Sequence, residues 1–352
     1  MPIDTSRRAI ALGAAALALT PAAVRAEPML RLPNMPLHDP FMVADEKAGL
    51  YRLYTSNIAR LSGTPGLGTM MYVSRDLLDW EKPRCVFRAP ADAWFKGGAW
   101  APEIHQWKGR WFLFATFHDE AALLPPAGKR RPYRRGTILA MADSPDGPFA
   151  VVRNGEPVAP EDLMTLDGTL YVAPDGRPWY VYSREWLQVG DGAIEALPLT
   201  DDLAAAGPPR TLFTASQAPW ADGKKQPEGD LAYVTDGPQL FTTRTGQLLM
   251  LWSSYDKDGY VQSQARSTSG TIEGPWEQLP PLVRHDSGHG MLFHRFDGQL
   301  MMVVHRPFKN ARGKLYEMRD AGDRLEIVRQ RLDLDGDEKS LSLRERDFGT
   351  PP

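Results

Sequence analysis

The chain is nearly free of cysteine, with Cys85 the single one in 352 residues. No internal disulfide can form, so stability outside the cell has to come from packing alone. Nucleophilic hydrolase signals are missing too: there is no G-x-S-x-G, and Cys85 has no surrounding motif. No glycine-rich phosphate loop occurs. The only apolar run of note is too short and too alanine-rich to span a membrane. Helical periodicity is almost absent, with a turn or two expected at Glu161–Met164 and Asp201–Ala206. No proline- or serine-rich linker divides the chain, which predicts one domain. A net charge of −3 argues against nucleic-acid binding.

That short apolar run lies in residues 1–26, which read as an export signal rather than part of the fold. Ser6-Arg7-Arg8 precedes alanines and leucines from Ala9 to Thr20, and Val24-Arg25-Ala26 resembles a small-residue cleavage site. The arginine pair looks like a twin-arginine signal, with an ordinary secretory signal as the alternative. Both predict a bacterial protein that is periplasmic or secreted. The remaining 27–352 form the expected single domain, with a net charge near −5.

What the chain has is short strands in a repeating unit. Leu166–Tyr182, LDGTLYVAPDGRPWYVY, reads as two apolar runs around a turn at Asp175-Gly176-Arg177-Pro178, a β-hairpin pattern. Similar units start at Asp39, Ala101, Asp236 and Gly288. Four have a carboxylate near the head (Asp39, Glu103, Asp167, Asp236) and the fifth has His289, at spacings of 64, 64, 69 and 53 residues. Further apolar strands follow, closing near Trp80, Phe149 and Trp276. A repeat of this length built from strands predicts an all-β fold, a five-bladed β-propeller. Blades of this kind bury their faces against one another around an axis, so the five heads should point into one central funnel. A lone Asp-Gly or Asp-Pro is usually only a turn piece; recurrence at one phase of five units is what singles these out.

Other stretches are less specific. Pro40 fixes the chain at the entry to the first unit and holds Asp39 extended. Trp100 is either core or a platform under a sugar ring. The basic stretch Gly128–Gly136 reads as a solvated loop, with a subsite for an anionic sugar as the alternative. Glu185 ends the second strand of the third unit, near the funnel or at the opposite rim. Residues 207–230 read as a long loop. His285 and His289 are four apart in a glycine-rich context that excludes a helical zinc motif. A last strand, IVRQRLDL, follows Asp320, and the charged end should fray.

Taken together, HDPF at His38–Phe41, WAPEIH at Trp100–His105, LDGTLYV at Leu166–Val172, TDGPQL at Thr235–Leu240, LLMLWSS at Leu248–Ser254 and GHGMLF at Gly288–Phe293 resemble glycoside hydrolase family 43 over nearly all of residues 30–320. That family consists of five-bladed propellers cleaving arabinose- and xylose-containing plant polysaccharides. The resemblance implies an inverting α-L-arabinofuranosidase or β-xylosidase, with Asp39 as general base and Asp167 as the carboxylate that orients the acid and tunes its pKa. The family's acid is a glutamate in Glu-Gly-Pro; here Asp236 stands in Asp-Gly-Pro, one methylene shorter. The donor is therefore Asp236 or Glu185, with the longer Glu185 preferred. Inversion implies base and acid roughly 6.5–9.5 Å apart. The resemblance also implies sugar contacts from His38, Trp100, Glu103, Trp186 and His305, and a Ca2+ or other ion held at the axis by His289. The expected partner is a carbohydrate and the expected state a monomer, with no membrane or nucleic acid. Alternatives are a glycan-binding propeller that does not cleave and a related furanosidase such as a galactofuranosidase.

Overall fold

The structure, a computed structural model, describes the first residue and residues 29–125, 130–227 and 229–336. The segment read as an export signal lies outside the described residues, apart from that first one. Five four-stranded antiparallel sheets follow one another along the chain, each with its strands in sequence order. Blade one comprises Phe41–Asp45, Leu50–Ser56, Gly68–Ser74 and Arg84–Arg88; blade two Gly97–Trp107, Arg110–Leu123, Tyr133–Ala142 and Ala150–Val151. Blade three comprises Thr165–Val172, Pro178–Arg184, Ala193–Pro198 and Arg210–Thr214; blade four Asp236–Thr242, Leu248–Asp256, Gly259–Ser267 and Trp276–Gln278. Blade five comprises Gly288–His294, Leu300–Arg306, Arg312–Asp320 and Leu325–Gln330. The inner strands touch one another in a closed ring. The protein is mostly β, a five-bladed propeller.

Second strands are buried along their middle, and almost throughout in Pro178–Arg184 and Leu248–Asp256. A strand covered on both faces reads as a continuous apolar run rather than an alternating one. The cover is the neighbouring blade. Phe114 of blade two stacks on Tyr180 of blade three at 6.4 Å, and Phe213 of blade three meets Trp252 of blade four edge-on at 5.2 Å. Leu251 of blade four and Met302 of blade five share a further apolar cluster.

Among the described residues, no strand is exchanged between blades to shut the ring. The closure is a strap ahead of blade one: Leu30 bridges Trp80, Leu37 N–H donates to Ala311 O at 3.0 Å, and Arg312 Nε donates to Pro33 O at 3.0 Å. Leu32, Met35 and Leu37 on this strap are buried, so it fastens the first blade to the last.

Two expectations are corrected here. Residues 207–230 are not one long loop, because Arg210–Thr214 is the outer strand of blade three and pairs with Ala193–Ala196. Nor is the basic stretch a solvated loop: from Tyr133 it is the third strand of blade two. Arg130 pairs with Asp230, Arg134 with Glu156, and Arg135 with Glu185. These arginines are used in contacts between distant parts of the chain. Gly128 and Lys129 lie outside the described residues.

Candidate active site

Each inner strand has a two-residue irregularity at its head. The pairing register shifts between Trp100 and Glu103, at Asp167-Gly168, between Asp236 and Gln239, and between Gly288 and Met291. In blade one the corresponding pair, Asp39-Pro40, sits just ahead of the strand. The first residue of each pair is left-handed, with φ of 45° at Asp39, 44° at Ala101, 53° at Asp167, 54° at Gly237 and 51° at His289, so Asp39 is not held extended before Pro40 as the sequence predicted. The second is always proline or glycine: Pro40, Pro102, Gly168, Pro238, Gly290. A bulge with positive φ re-aims its side chain and frees its amide from the ladder.

The freed amides are caught by the preceding blade. Asp167 N–H donates to Thr116 Oγ1 at 2.9 Å and Gly168 N–H to Thr137 Oγ1 at 3.0 Å, both from blade two. Gly237 N–H donates to Asp167 Oδ2 at 3.0 Å, His289 N–H to Ser253 Oγ at 2.8 Å, and Asp39 N–H to His305 Nδ1 at 3.2 Å. Blade five thus positions the head of blade one, and the ring is closed at its hub as well as by the strap.

This phase corrects the repeat as read from the sequence. The residue equivalent to Asp39, Asp167 and His289 is Ala101 in blade two and Gly237 in blade four. Glu103 lies two positions further along its strand, where Oε2 accepts from Thr169 Oγ1 at 2.6 Å and meets His105 Nε2 at 2.7 Å. It is 2 % exposed, beneath the heads rather than at a rim. Asp236 precedes its bulge by one residue and accepts a hydrogen bond from Tyr260 Oη at 3.0 Å.

Asp39 sits among three histidines. Its Oδ1 lies 2.9 Å from His38 Nδ1, 3.3 Å from His289 Nδ1 and 3.4 Å from His305 Nδ1. Burial opposes its charge, but His289 and His38 overcome this and hold the carboxyl well below its ordinary value. His38 is raised: burial works against its charge, and Asp39 outweighs it. His305 stays neutral, pushed down to about 3 by burial and by His38. Its Nδ1 is thus free to accept the Asp39 amide. His289 is lowered, chiefly by burial. Because His289 Nδ1 is 3.3 Å from Asp39 Oδ1 and 3.7 Å from Asp167 Oδ2, the two carboxylates lie within about 7 Å of each other. Both face the same imidazole nitrogen.

On the other side the carboxyls are shifted upward. Asp167 is pushed well up by burial, then by Asp236 and Asp39, against the hydrogen bond from Gly237. Asp236 is raised to about 7 by burial and by the nearby Glu185. Glu185 falls on the funnel side, buried, and pairs with Arg135 of blade two. Burial raises it and Arg135 opposes the shift. Arg135 is held in turn by Tyr133 Oη, and its guanidinium lies 4.8 Å from the Trp100 ring and 4.9 Å from that of Tyr133.

The remaining predicted residues fall around these groups. His38 and His305 stack at 4.1 Å, with Phe308 edge-on to His38 at 5.0 Å. Trp100 is partly exposed beside His118, 4.8 Å between rings. Trp186 is partly exposed and opens the short helix after Glu185. Tyr260 and Phe308 were not singled out in the sequence, where no local motif marks them, and Arg135 was noted only as part of the basic stretch Gly128–Gly136.

His38, Asp39 and His305 offer one atom each within 4.8 Å of one another, a group that could hold a metal ion. Their close approach already has a cause, since His38 bonds to Asp39 and His305 accepts the Asp39 amide. The buried atoms without a protein partner include His289 Nε2 and Glu103 Oε1, along with His305 Nε2. One imidazole nitrogen and one carboxylate oxygen fit a hard cation that keeps most of its shell as water.

Residues 32–325 match the family described as glycosyl hydrolases family 43. Among solved structures, the chain is similar to an endo-arabinase from Bacteroides thetaiotaomicron VPI-5482, at 34% identity over 83% of this chain and 98% of that one, with a TM-score of 0.73. It is also similar in fold to an endo-1,4-β-xylanase from the same organism, at 21% identity, 84% and 95% coverage and a TM-score of 0.64. An α-L-arabinofuranosidase from Lactobacillus brevis shares the fold at 17% identity, 80% and 90% coverage and a TM-score of 0.60. No curated protein matches the chain. With a family match over most of its length, the chain belongs to glycoside hydrolase family 43 and is a glycosidase.

Proposed function

We propose that this enzyme hydrolyses arabinofuranosyl linkages of arabinose-containing plant polysaccharides by inversion. In this mechanism Asp39 is the general base and Asp236 the general acid. The observation that carries the assignment is the opposed charge state of two carboxyls at one funnel: Asp39 held ionised by histidines, Asp236 held protonated up to about pH 7. Hydrolysis needs that asymmetry, a charged base on one face and a proton for the leaving oxygen on the other. The arabinose assignment is supported by the 34% identity to an endo-arabinase.

Asp236 is the better donor than Glu185 for a physical reason. An oxygen engaged by a guanidinium stabilises the anion, and Glu185 is so engaged by Arg135. Asp236 has instead a hydroxyl donor and a negative neighbour, conditions that let it release a proton and take one back. Asp167 accepts the Gly237 amide and so fixes the backbone next to the acid. A calcium or similar ion would be held by His289 Nε2 and Glu103 Oε1, supplying positive charge that keeps His289 turned towards Asp39. The enzyme acts outside the inner membrane, which the composition of residues 1–26 supports.

The donor is tested with Asp236→Asn and Glu185→Gln on aryl arabinofuranosides of good and poor leaving group. Loss of the true acid spares only the good leaving group. That signature in Asp236→Asn is expected; finding it in Glu185→Gln alone would reassign the donor. A panel of nitrophenyl furanosides and pyranosides, with arabinan and xylan, tests the sugar. Turnover of xylosides alone would overturn the arabinose assignment.

A further inference from the structure

We infer that Tyr260 is the positioning residue of the acid: its hydroxyl fixes the rotation of the Asp236 carboxyl and leaves the transferable proton on Oδ1. This rests on Asp236 being the acid.

Three imidazoles surround the Asp39 carboxylate, the Gly237 amide reaches Asp167, and Arg135 pairs with Glu185. The Asp236 carboxyl has a single neutral contact, from Tyr260 Oη to Oδ2 at 3.0 Å. Among the described residues no other side chain hydrogen-bonds to it. The torsion that turns a carboxyl about its last carbon–carbon bond has broad minima. The orientation of Asp236 therefore depends on that hydroxyl. A protonated carboxyl has one O–H and one carbonyl oxygen, and the carbonyl oxygen is the better acceptor. Donation from Tyr260 into Oδ2 leaves the proton on Oδ1, the oxygen free to meet a leaving group.

The hydroxyl is itself firmly placed. Tyr260 is 1 % exposed, so it does not meet the sugar. It lies on the third strand of blade four while Asp236 opens the first, and the phenol crosses the strand between them. At the usual strand spacing that is a span of about 10 Å. Its ring lies parallel to His305, 5.6 Å away at an angle of 8°, with Tyr255 at 5.0 Å and Phe308 edge-on at 5.2 Å. Gly288 at the head of blade five makes the room, because a Cβ there would lie 2.3 Å from Tyr260 Cε1. Next to it, Ser287 N–H donates to Tyr260 O at 2.9 Å and fixes the backbone that carries the ring. A hydroxyl held in this way orients an acid that is one methylene shorter than the family's glutamate.

The test is kcat and KM of Tyr260→Phe on arabinofuranosides of poor and good leaving group, with thermal melts confirming folding. The variant keeps the ring and loses only the hydroxyl. Turnover of the poor leaving group should fall by about 10–10²-fold, while KM and turnover of the good leaving group stay close to wild type. Unchanged turnover of the poor leaving group, or an equal fall on both substrates, overturns the proposal. Because the hydroxyl acts through Asp236, adding Tyr260→Phe to Asp236→Asn should cost little more than Asp236→Asn alone. Losses that multiply in the double variant overturn it equally. Asp236→Asn separates the two layers: if it keeps full turnover with poor leaving groups, the acid assignment itself fails. If Asp236→Asn is impaired there and folded Tyr260→Phe is not, only the role of Tyr260 falls. Should Tyr260→Phe not fold, neutron diffraction of the wild-type enzyme below the Asp236 pKa decides. A deuteron on Asp236 Oδ1, with that of Tyr260 aimed at Oδ2, supports the proposal, and a deuteron on Oδ2 overturns it.

Discussion

Asp39 and Asp236 are chemically the same side chain set in opposite surroundings. Replacing Asp39 by Asn should lower kcat by about 10²–10⁴-fold, the usual share of a general base. The Asp39 carboxylate also contributes stability above its ordinary pKa, because the histidines hold the folded pKa down. Asp39→Asn should therefore melt below the wild type at about pH 7, while the backbone contact to His305 keeps it folded. Asp236 makes a separate prediction about stability. Its folded pKa is about 7 against an ordinary 3.8, so the folded state binds the extra proton. Its stabilisation is complete below about pH 4 and is lost as pH rises through 7. Asp236→Asn should therefore melt like the wild type at pH 4 and several degrees higher at pH 8. Equal melting at both values would contradict the buried, protonated state. Asp39 and Asp167 were legible in the sequence because turn residues recur at one phase, and Asp236 because it is an acidic residue one position from that phase. Arg135 was not, since its partner Glu185 is 50 residues away and only the fold joins them.

At the scale of strands, the bulge is the device that builds the site. The sequence marked its position only to within a residue or two, and Glu103 and Asp236 drew attention because they are acidic. A sharper signal was present in the second bulge residue, always proline or glycine, which would have set the phase at Ala101 and Gly237. The glycine has a measurable reason in blade three. A Cβ at Gly168 would lie 2.1 Å from the ring of Tyr180, itself fully buried against the preceding blade. Gly168→Ala should lower the melting temperature by several degrees and, by displacing Asp167, reduce kcat more than it changes KM. Wild-type kinetics in that variant would show that the bulge is not held as described. Outer strands such as Arg210–Thr214 were hidden in a Pro- and Gly-rich stretch, where half-exposed residues leave no alternation to read.

For the whole molecule, the number of blades could be read from the repeat, while the manner of closure could not. The strap at Leu30–Leu37 precedes the first repeat and resembles no part of it, yet it joins blade one to blade five. The axis raises a question of its own, because His289 Nε2 and Glu103 Oε1 are buried without a protein partner. If an ion held there is part of the fold, dialysis against a chelator should lower the melting temperature and added calcium should restore it. An unchanged melt would mean that water alone fills the axis. The account stands on the convergence of Asp39, Asp167 and Asp236 at one funnel, with water approaching from the Asp39 side. Time-resolved proton NMR of arabino-oligosaccharide hydrolysis tests this most directly. The account predicts that the first product has the inverted anomeric configuration and that folded Asp39→Asn releases almost none; a retained anomer, or undiminished release by that variant, would contradict it.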